Sequence, residues 1–137
     1  KSLPYGPFLI KPNNYELGEI FGVRLTTRSS VIPYAKKLQN MGARNVLVSM
    51  AGEGAVLVSD DGQVIDAPAP EGKLINGVGA GDSMVAGFMA GYLARHDYNH
   101  AFCMGVASGS ASAFSENLAT KEEIEKVYKT IVLEEKV

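Results

Sequence analysis

Short continuous apolar runs alternate along the chain with longer stretches whose apolar residues recur at helical spacing. Pro7-Phe8-Leu9-Ile10 is such a run and predicts a short, fully buried strand. Lys11-Pro12 ends it, because a proline biases the residue before it to extended backbone. Asn13 or Asn14 is placed to cap a helix starting near Tyr15, with Glu16 in the first turn, where negative charge suits the helix dipole. Val31, Ala35, Leu38 and Met41 keep helical spacing, with Lys36, Lys37 and Gln39 turned outward as a solvated face. Gly42 supplies the stop for this helix over 30–41. Two runs rich in β-branched residues, 45–50 and 55–59, read as strands. Asp60-Asp61-Gly62 then turns the chain into Gln63-Val64-Ile65, a hairpin signal.

Beyond an irregular, proline-stiffened connector, Ala67-Pro68-Ala69-Pro70-Glu71-Gly72, the pattern becomes helical. The stretch from Met84 to Ala94 is apolar nearly all round, which predicts a buried helix. Gly87 and Gly91 lie on one face of it, and Gly105 and Gly109 are spaced alike in the next helix. Each glycine gives up roughly 1 kcal/mol of helix propensity relative to Ala, so the spacing points to two helices that must approach closely. Thr120-Lys121-Glu122-Glu123 is a capping box opening a last helix with the stripe Ile124, Val127, Tyr128 and Ile131. Helices alternating with short apolar strands predict an α/β architecture with a sheet covered on its faces.

The 137 residues suffice for one domain with a single core, and 46% hydrophobic with 20% charged residues is a globular composition. A net charge of −2 without a basic block argues against nucleic acid or an anionic membrane as partner. The apolar stretch 84–94 is too short to span a bilayer, and the charged start leads into no signal-peptide core. The lone Cys103 excludes an intramolecular disulfide, fits the cytoplasm, and reads as helix packing. His96 and His100 flank a polar break that a loop between helices explains better than a metal pair.

The chemistry concentrates in Asn76-Gly77-Val78-Gly79-Ala80-Gly81-Asp82-Ser83. Glycines ahead of a helix leave backbone N–H groups unpaired and aligned, with the positive end of the dipole behind them. That is a site for phosphate, or for charge developing during phosphoryl transfer, and Asp82 at its edge is placed to accept a proton from a hydroxyl. Two plainer readings stand beside this one. The segment is also a Gly-rich turn with Asp82 as helix cap, a role worth about 1 kcal/mol. A dinucleotide fingerprint needs its third glycine where Asp82 stands, and the chain has no G-x-x-x-x-G-K-[ST] segment.

Gly79-Ala80-Gly81-Asp82-Ser83 followed by Met84-Val85-Ala86-Gly87-Phe88 resembles the C-terminal signature of the PfkB (ribokinase-like) carbohydrate kinases. The residues after Asp82 are most similar to the 1-phosphofructokinase branch. The resemblance implies the C-terminal part of a ribokinase-like three-layer α/β/α domain, so residues 1–137 are expected to be a single partial domain without the N-terminal half and lid. It also implies an anion hole at Gly79, Ala80 and Gly81, with Asp82 as catalytic base. Asn13-x-x-Glu16 resembles a family motif that organises Mg2+ and phosphate, which gives Glu16 to the metal. Lys11 and Asn13 match a Lys-Pro-Asn segment near nucleotide phosphates, and Ser49, Gly52 and Gly54 match a segment lying against ATP. Gly81 borders the same nucleotide, Asn117 sits where family members contact adenine, and 108–113 stands as a wall of that pocket. Gly77 departs from the Thr or Ser expected there. The implied activity is ATP-dependent phosphorylation of fructose 1-phosphate by a cytoplasmic enzyme, a homodimer when complete. Tagatose 6-phosphate kinase and a non-catalytic binding module are the alternatives.

Overall fold

The computed structural model describes residues 8–50, 53–68, 80–113, 120–131 and 134–136. They belong to two compact units, Lys1–Ala67 with Leu133–Val137, and Pro68–Val132.

The first unit is a five-stranded sheet in the order β1 (Leu9–Ile10), β2 (Asn45–Ser49), β3 (Ala55–Val58), β4 (Val64–Ala67) and β5 (Glu134–Lys136). The β1–β2 pair is parallel and the other three pairs are antiparallel. Helices α1 (Asn14–Phe21) and α2 (Arg28–Asn40) connect the parallel pair. Alternation along the strands sends Val46, Val48, Val56, Val58 and Val64 into one core with Leu17, Val31, Ala35 and Leu38 of the helices. Leu47, Leu57 and Ile65 alternate with them and are fully buried as well. Burying side chains of this size stabilises by about 1.5–3 kcal/mol each.

Several expectations hold in detail. Asn13 caps α1, Thr120 caps α5, and the hairpin at 60–62 joins β3 to β4. Gly42 takes a φ of 124°, while its N–H bonds Gln39 O at 2.9 Å and the Ala43 N–H bonds Leu38 O at 3.3 Å, closing α2 with a Schellman pair. Others need correction. Of the described residues of the run at 7–10, Leu9–Ile10 form the strand and Phe8 does not, and both strand residues are half-buried, because β1 is an edge of the described sheet. Helix α2 begins at Arg28, capped by Thr27, and carries Pro33 inside it. Strand β5, with the sequence Glu-Glu-Lys, lacks the alternation that would announce it.

A buried ion pair ties α2 to the sheet. Arg28 Nη1 lies 3.2 Å from Asp66 Oδ2, whose side chain is 3% exposed. The guanidinium in the first turn of α2 opposes the helix dipole, and the carboxylate on β4 offsets it.

The second unit is helical: α3 (Ala80–Arg95), α4 (Tyr98–Ala113) and α5 (Lys121–Tyr128). The glycine spacing does what it predicts. A Cβ built on Gly87 would collide with the Ser108 hydroxyl and lie 2.6 Å from the Met104 carbonyl oxygen. One on Gly105 would lie 3.0 Å from Met84 O. Helix α3 is not buried all round, however: Phe88 is fully buried, while Ala86, Ala90 and Leu93 are exposed. An all-apolar helix gives no sign of which face turns inward; here the glycine face does. Cys103 is buried in α4, and burial, then the Asp97 charge, push its thiol up to about 11, in keeping with packing.

His100 Nδ1 lies 3.0 Å from the Tyr128 hydroxyl and docks α5 on α4. Burial first, then the Arg95 charge, lower the His100 pKa from 6.5, with Asp97 opposing. The folded chain thus holds this proton less well than the unfolded chain. Its contribution to stability is complete above 6.5 and is lost as the pH falls below 6.5 through the lowered folded value. The α5 amides are therefore expected to lose hydrogen-exchange protection in mild acid. His100→Gln should remove that pH dependence; an unchanged profile would assign it to another group.

Candidate active site

The candidate residues fall in both units. In the first unit, β1 and β2 are parallel, so their C-terminal ends lie at the same edge of the sheet. Ligands of open α/β sheets bind at that edge. The pairing runs on past the strands: Asn13 bridges Ser49, and the Ser49 N–H bonds the Pro12 carbonyl at 3.1 Å. Lys11-Pro12-Asn13 and Ser49 are thereby held side by side. Lys11, Asn13 and Ser49 are half-buried and Glu16 is exposed.

Asn13-x-x-Glu16 forms a reciprocal cap. Asn13 Oδ1 accepts from the Glu16 N–H at 2.8 Å, and Glu16 Oε1 accepts from the Asn13 N–H at 2.8 Å. The carboxylate is thus fixed in direction by the backbone that it caps. After Ser49 the chain turns tightly: Met50 N–H donates to Gly54 O at 2.9 Å, and Glu53 N–H to Met50 O at 2.9 Å. Gly54 is buried with a φ of 105°, a conformation that a side chain would strain. Beside this turn an open groove of about 960 Å3 is lined by Tyr15, Gly18, Glu19, Met50 and Glu53 among others. Lys11, Asn13, Glu16 and Ser49 do not line it.

In the second unit, α3 starts at Ala80, so Ala80 and Gly81 form part of its first turn and Asp82 is the third helical residue. Asp82 is thus inside the helix and not the cap residue before it, while Gly77 and Gly79 of the glycine turn lie outside the described residues. In general the orphan N–H groups of a helix belong to its cap and first three residues, and in α3 the third is Asp82. Asp82 is exposed, and as an acidic residue in the first turn it suits the dipole. Its neighbour Ser83 accepts a hydrogen bond at 2.9 Å from the Ser112 hydroxyl of α4. Ser108 and Ser112, read as part of a nucleotide-pocket wall, are both buried. Gly52, Gly77, Gly79 and Asn117 lie outside the described residues.

The residues that sequence reasoning passed over are Ser83 and Ser112 as a pair. The signal was present in the glycine register, because Ser83 stands four residues before Gly87 and Ser112 four after Ser108. Among the described residues no three His, Cys, Asp or Glu side chains gather as a metal cage. A lone carboxylate such as Glu16 suits a hard cation that keeps most of its waters or its phosphate ligands.

A family model described as pfkB family carbohydrate kinase matches residues 1–125. A 1-phosphofructokinase of Bacillus subtilis is 50% identical over 127 residues, covering 93% of this chain and 42% of that protein. A crystal structure of a Staphylococcus aureus protein assigned as a phosphofructokinase matches with a TM-score of 0.92 and 41% identity, over 98% of this chain and 44% of that one. Phosphofructokinase-2 from Escherichia coli, solved in complex with substrates and products, matches with a TM-score of 0.79 and 33% identity, over 89% of this chain and 40% of that one. The chain spans less than half the length of these relatives. The fold is the ribokinase-like α/β fold that the signature implied.

Proposed function

The chain belongs to the pfkB family of carbohydrate kinases, and on that premise we propose that the full-length protein transfers a phosphoryl group from ATP to the free primary hydroxyl of fructose 1-phosphate. The observation that carries this reading is Asp82 in the first turn of α3, beside N–H groups that have no helical partner. Asp82 takes the proton of the attacking hydroxyl, and the N–H groups of Gly79, Ala80 and Gly81 stabilise the negative charge spread over the transferring group. No covalent intermediate is required, since positioning and electrostatics supply most of the catalysis of phosphoryl transfer.

Lys11, Asn13, Ser49, Gly52, Gly54 and Asn117 serve the nucleotide in this reading. Glu16 is the residue that would hold Mg2+, through water, and the metal supplies neutralisation of the ATP phosphates. The fixed direction of the Glu16 carboxylate and its hard oxygen fit that duty. Substrate preference tests the whole: the full-length protein with ATP should turn over fructose 1-phosphate to the 1,6-bisphosphate in preference to fructose 6-phosphate or tagatose 6-phosphate. Absence of turnover with every ketose phosphate, despite ATP binding, would favour the non-catalytic module instead.

Glu16→Gln separates metal from cap. Gln serves a capping box nearly as well as Glu, so stability should change by no more than about 0.5 kcal/mol. The Mg2+ concentration needed for half-maximal turnover should nevertheless rise several-fold, with sugar KM little changed. An unmoved magnesium titration would leave Glu16 as a cap alone.

A further inference from the structure

A helix end can act as an anion site only if its first turn is held, and a first turn with glycine in it frays readily. In α3 that turn carries Gly81, and Asp82 is exposed. One turn further in, the helix is locked: Gly87 admits no Cβ against Ser108, and Gly105 sits close under the Met84 carbonyl. Moving one more turn outward in the same antiparallel register, by four residues on each helix, leads from the Gly87–Ser108 contact to Ser83 and Ser112. There the packing contact is replaced by a hydrogen bond of 2.9 Å between the two hydroxyls. Ser112 is 7% exposed and Ser83 adjoins Asp82 in sequence.

We propose that Ser112 is a positioning residue for phosphoryl transfer: through Ser83 it pins the first turn of α3 and so fixes the direction of Asp82 and of the neighbouring N–H groups. The inference rests on the reading of Asp82 as the base. Ser112 does not touch the reacting atoms. Its hydroxyl donates to Ser83 Oγ from a helix that is itself held by the glycine contacts, so the pin has a rigid anchor on one side and the catalytic turn on the other. A serine is suited to this place because, unlike the glycine contacts below it, the hydrogen bond fixes both distance and direction.

The test uses the full-length protein with Ser112→Ala, Ser83→Ala, the double variant and Ser112→Thr. Each Ala variant should lower kcat by roughly tenfold with ATP and sugar KM little changed, since small misplacements of catalytic groups cost this much or more. The double variant should be no worse than either single one, because both remove the same contact. Ser112→Thr, which keeps the hydroxyl, should recover most of the loss. Hydrogen exchange over 80–83 should speed up in the Ala variants while the interior of α3 stays protected. Unchanged exchange there, a kcat within twofold of the parent, or additive losses in the double variant would each overturn the pin. If Ser112→Ala failed to fold, Ser83→Ala reads the same contact from the less buried side. A near-normal rate in Asp82→Asn would instead remove the base reading, and the exchange result would still report on the pin by itself.

Discussion

Replacing Asp82 with Asn is expected to lower kcat of the full-length protein by about 10²–10⁴-fold, the range for loss of a general base. Asn keeps the shape of the side chain and its ability to hydrogen-bond, but it cannot accept the hydroxyl proton. The structure refines what else should change. Asp82 is the third residue of α3 and exposed, so the substitution removes a favourable charge–dipole interaction and no cap. That loss is about 0.3–1 kcal/mol at an exposed first-turn position. ATP affinity should stay within a few-fold, because the nucleotide-side residues Lys11, Asn13 and Ser49 are untouched. Steady-state rates, ATP titration and denaturant unfolding on the same sample read all three. A folded Asp82→Asn protein with near-normal turnover would sink the catalytic role.

What could be read from the sequence divides by the range of the interaction responsible. The caps at Asn13 and Thr120 and the hairpin at 60–62 are local, so composition and spacing were enough to place them. The α3–α4 contact is long-range, yet paired glycines announced it, because their propensity cost has no other local reason. By contrast, Gly81 has poor helix propensity and still lies within α3, where tertiary packing outweighs a single unfavourable residue. Strand β5 went unread because a charged edge strand carries no burial period. The candidate site shows the same division. Asn13-x-x-Glu16 has one spelling for two roles, a reciprocal cap and a metal-facing carboxylate, and local geometry displays only the first. Gly54 is likewise required by its φ of 105° whether or not a nucleotide lies against it. The bridge between Asn13 and Ser49 joins segments 36 residues apart, and only the parallel pairing of β1 with β2 brings them together.

Gly87→Ala should destabilise the protein by roughly 3 kcal/mol, at the upper end of the cost of overpacking. Propensity alone argues the opposite, since Ala is favoured over Gly by about 1 kcal/mol in a helix interior. The structure decides the sign. A Cβ at Gly87 would collide with the Ser108 side chain and lie 2.6 Å from the Met104 carbonyl oxygen. The serine hydroxyl could swing aside, but the backbone carbonyl can yield only if α4 moves away from α3. Such a shift would also loosen the Ser83–Ser112 hydrogen bond one turn above, so kcat should fall together with stability. Gly91→Ala should cost less, because its nearest neighbours, Met104 Cβ at 3.0 Å and Ala101 Cα at 3.1 Å, are tight contacts that need only a small shift, not the overlap met at Gly87. Ser108→Gly in the Gly87→Ala background should restore part of the loss and no more, since the Met104 carbonyl remains. Denaturation midpoints and slopes of the single and double variants measure this ordering. A Gly87→Ala protein as stable as its parent would mean that α3 and α4 do not approach as closely as the structure has them, and the register that places Ser83 against Ser112 would fall with it.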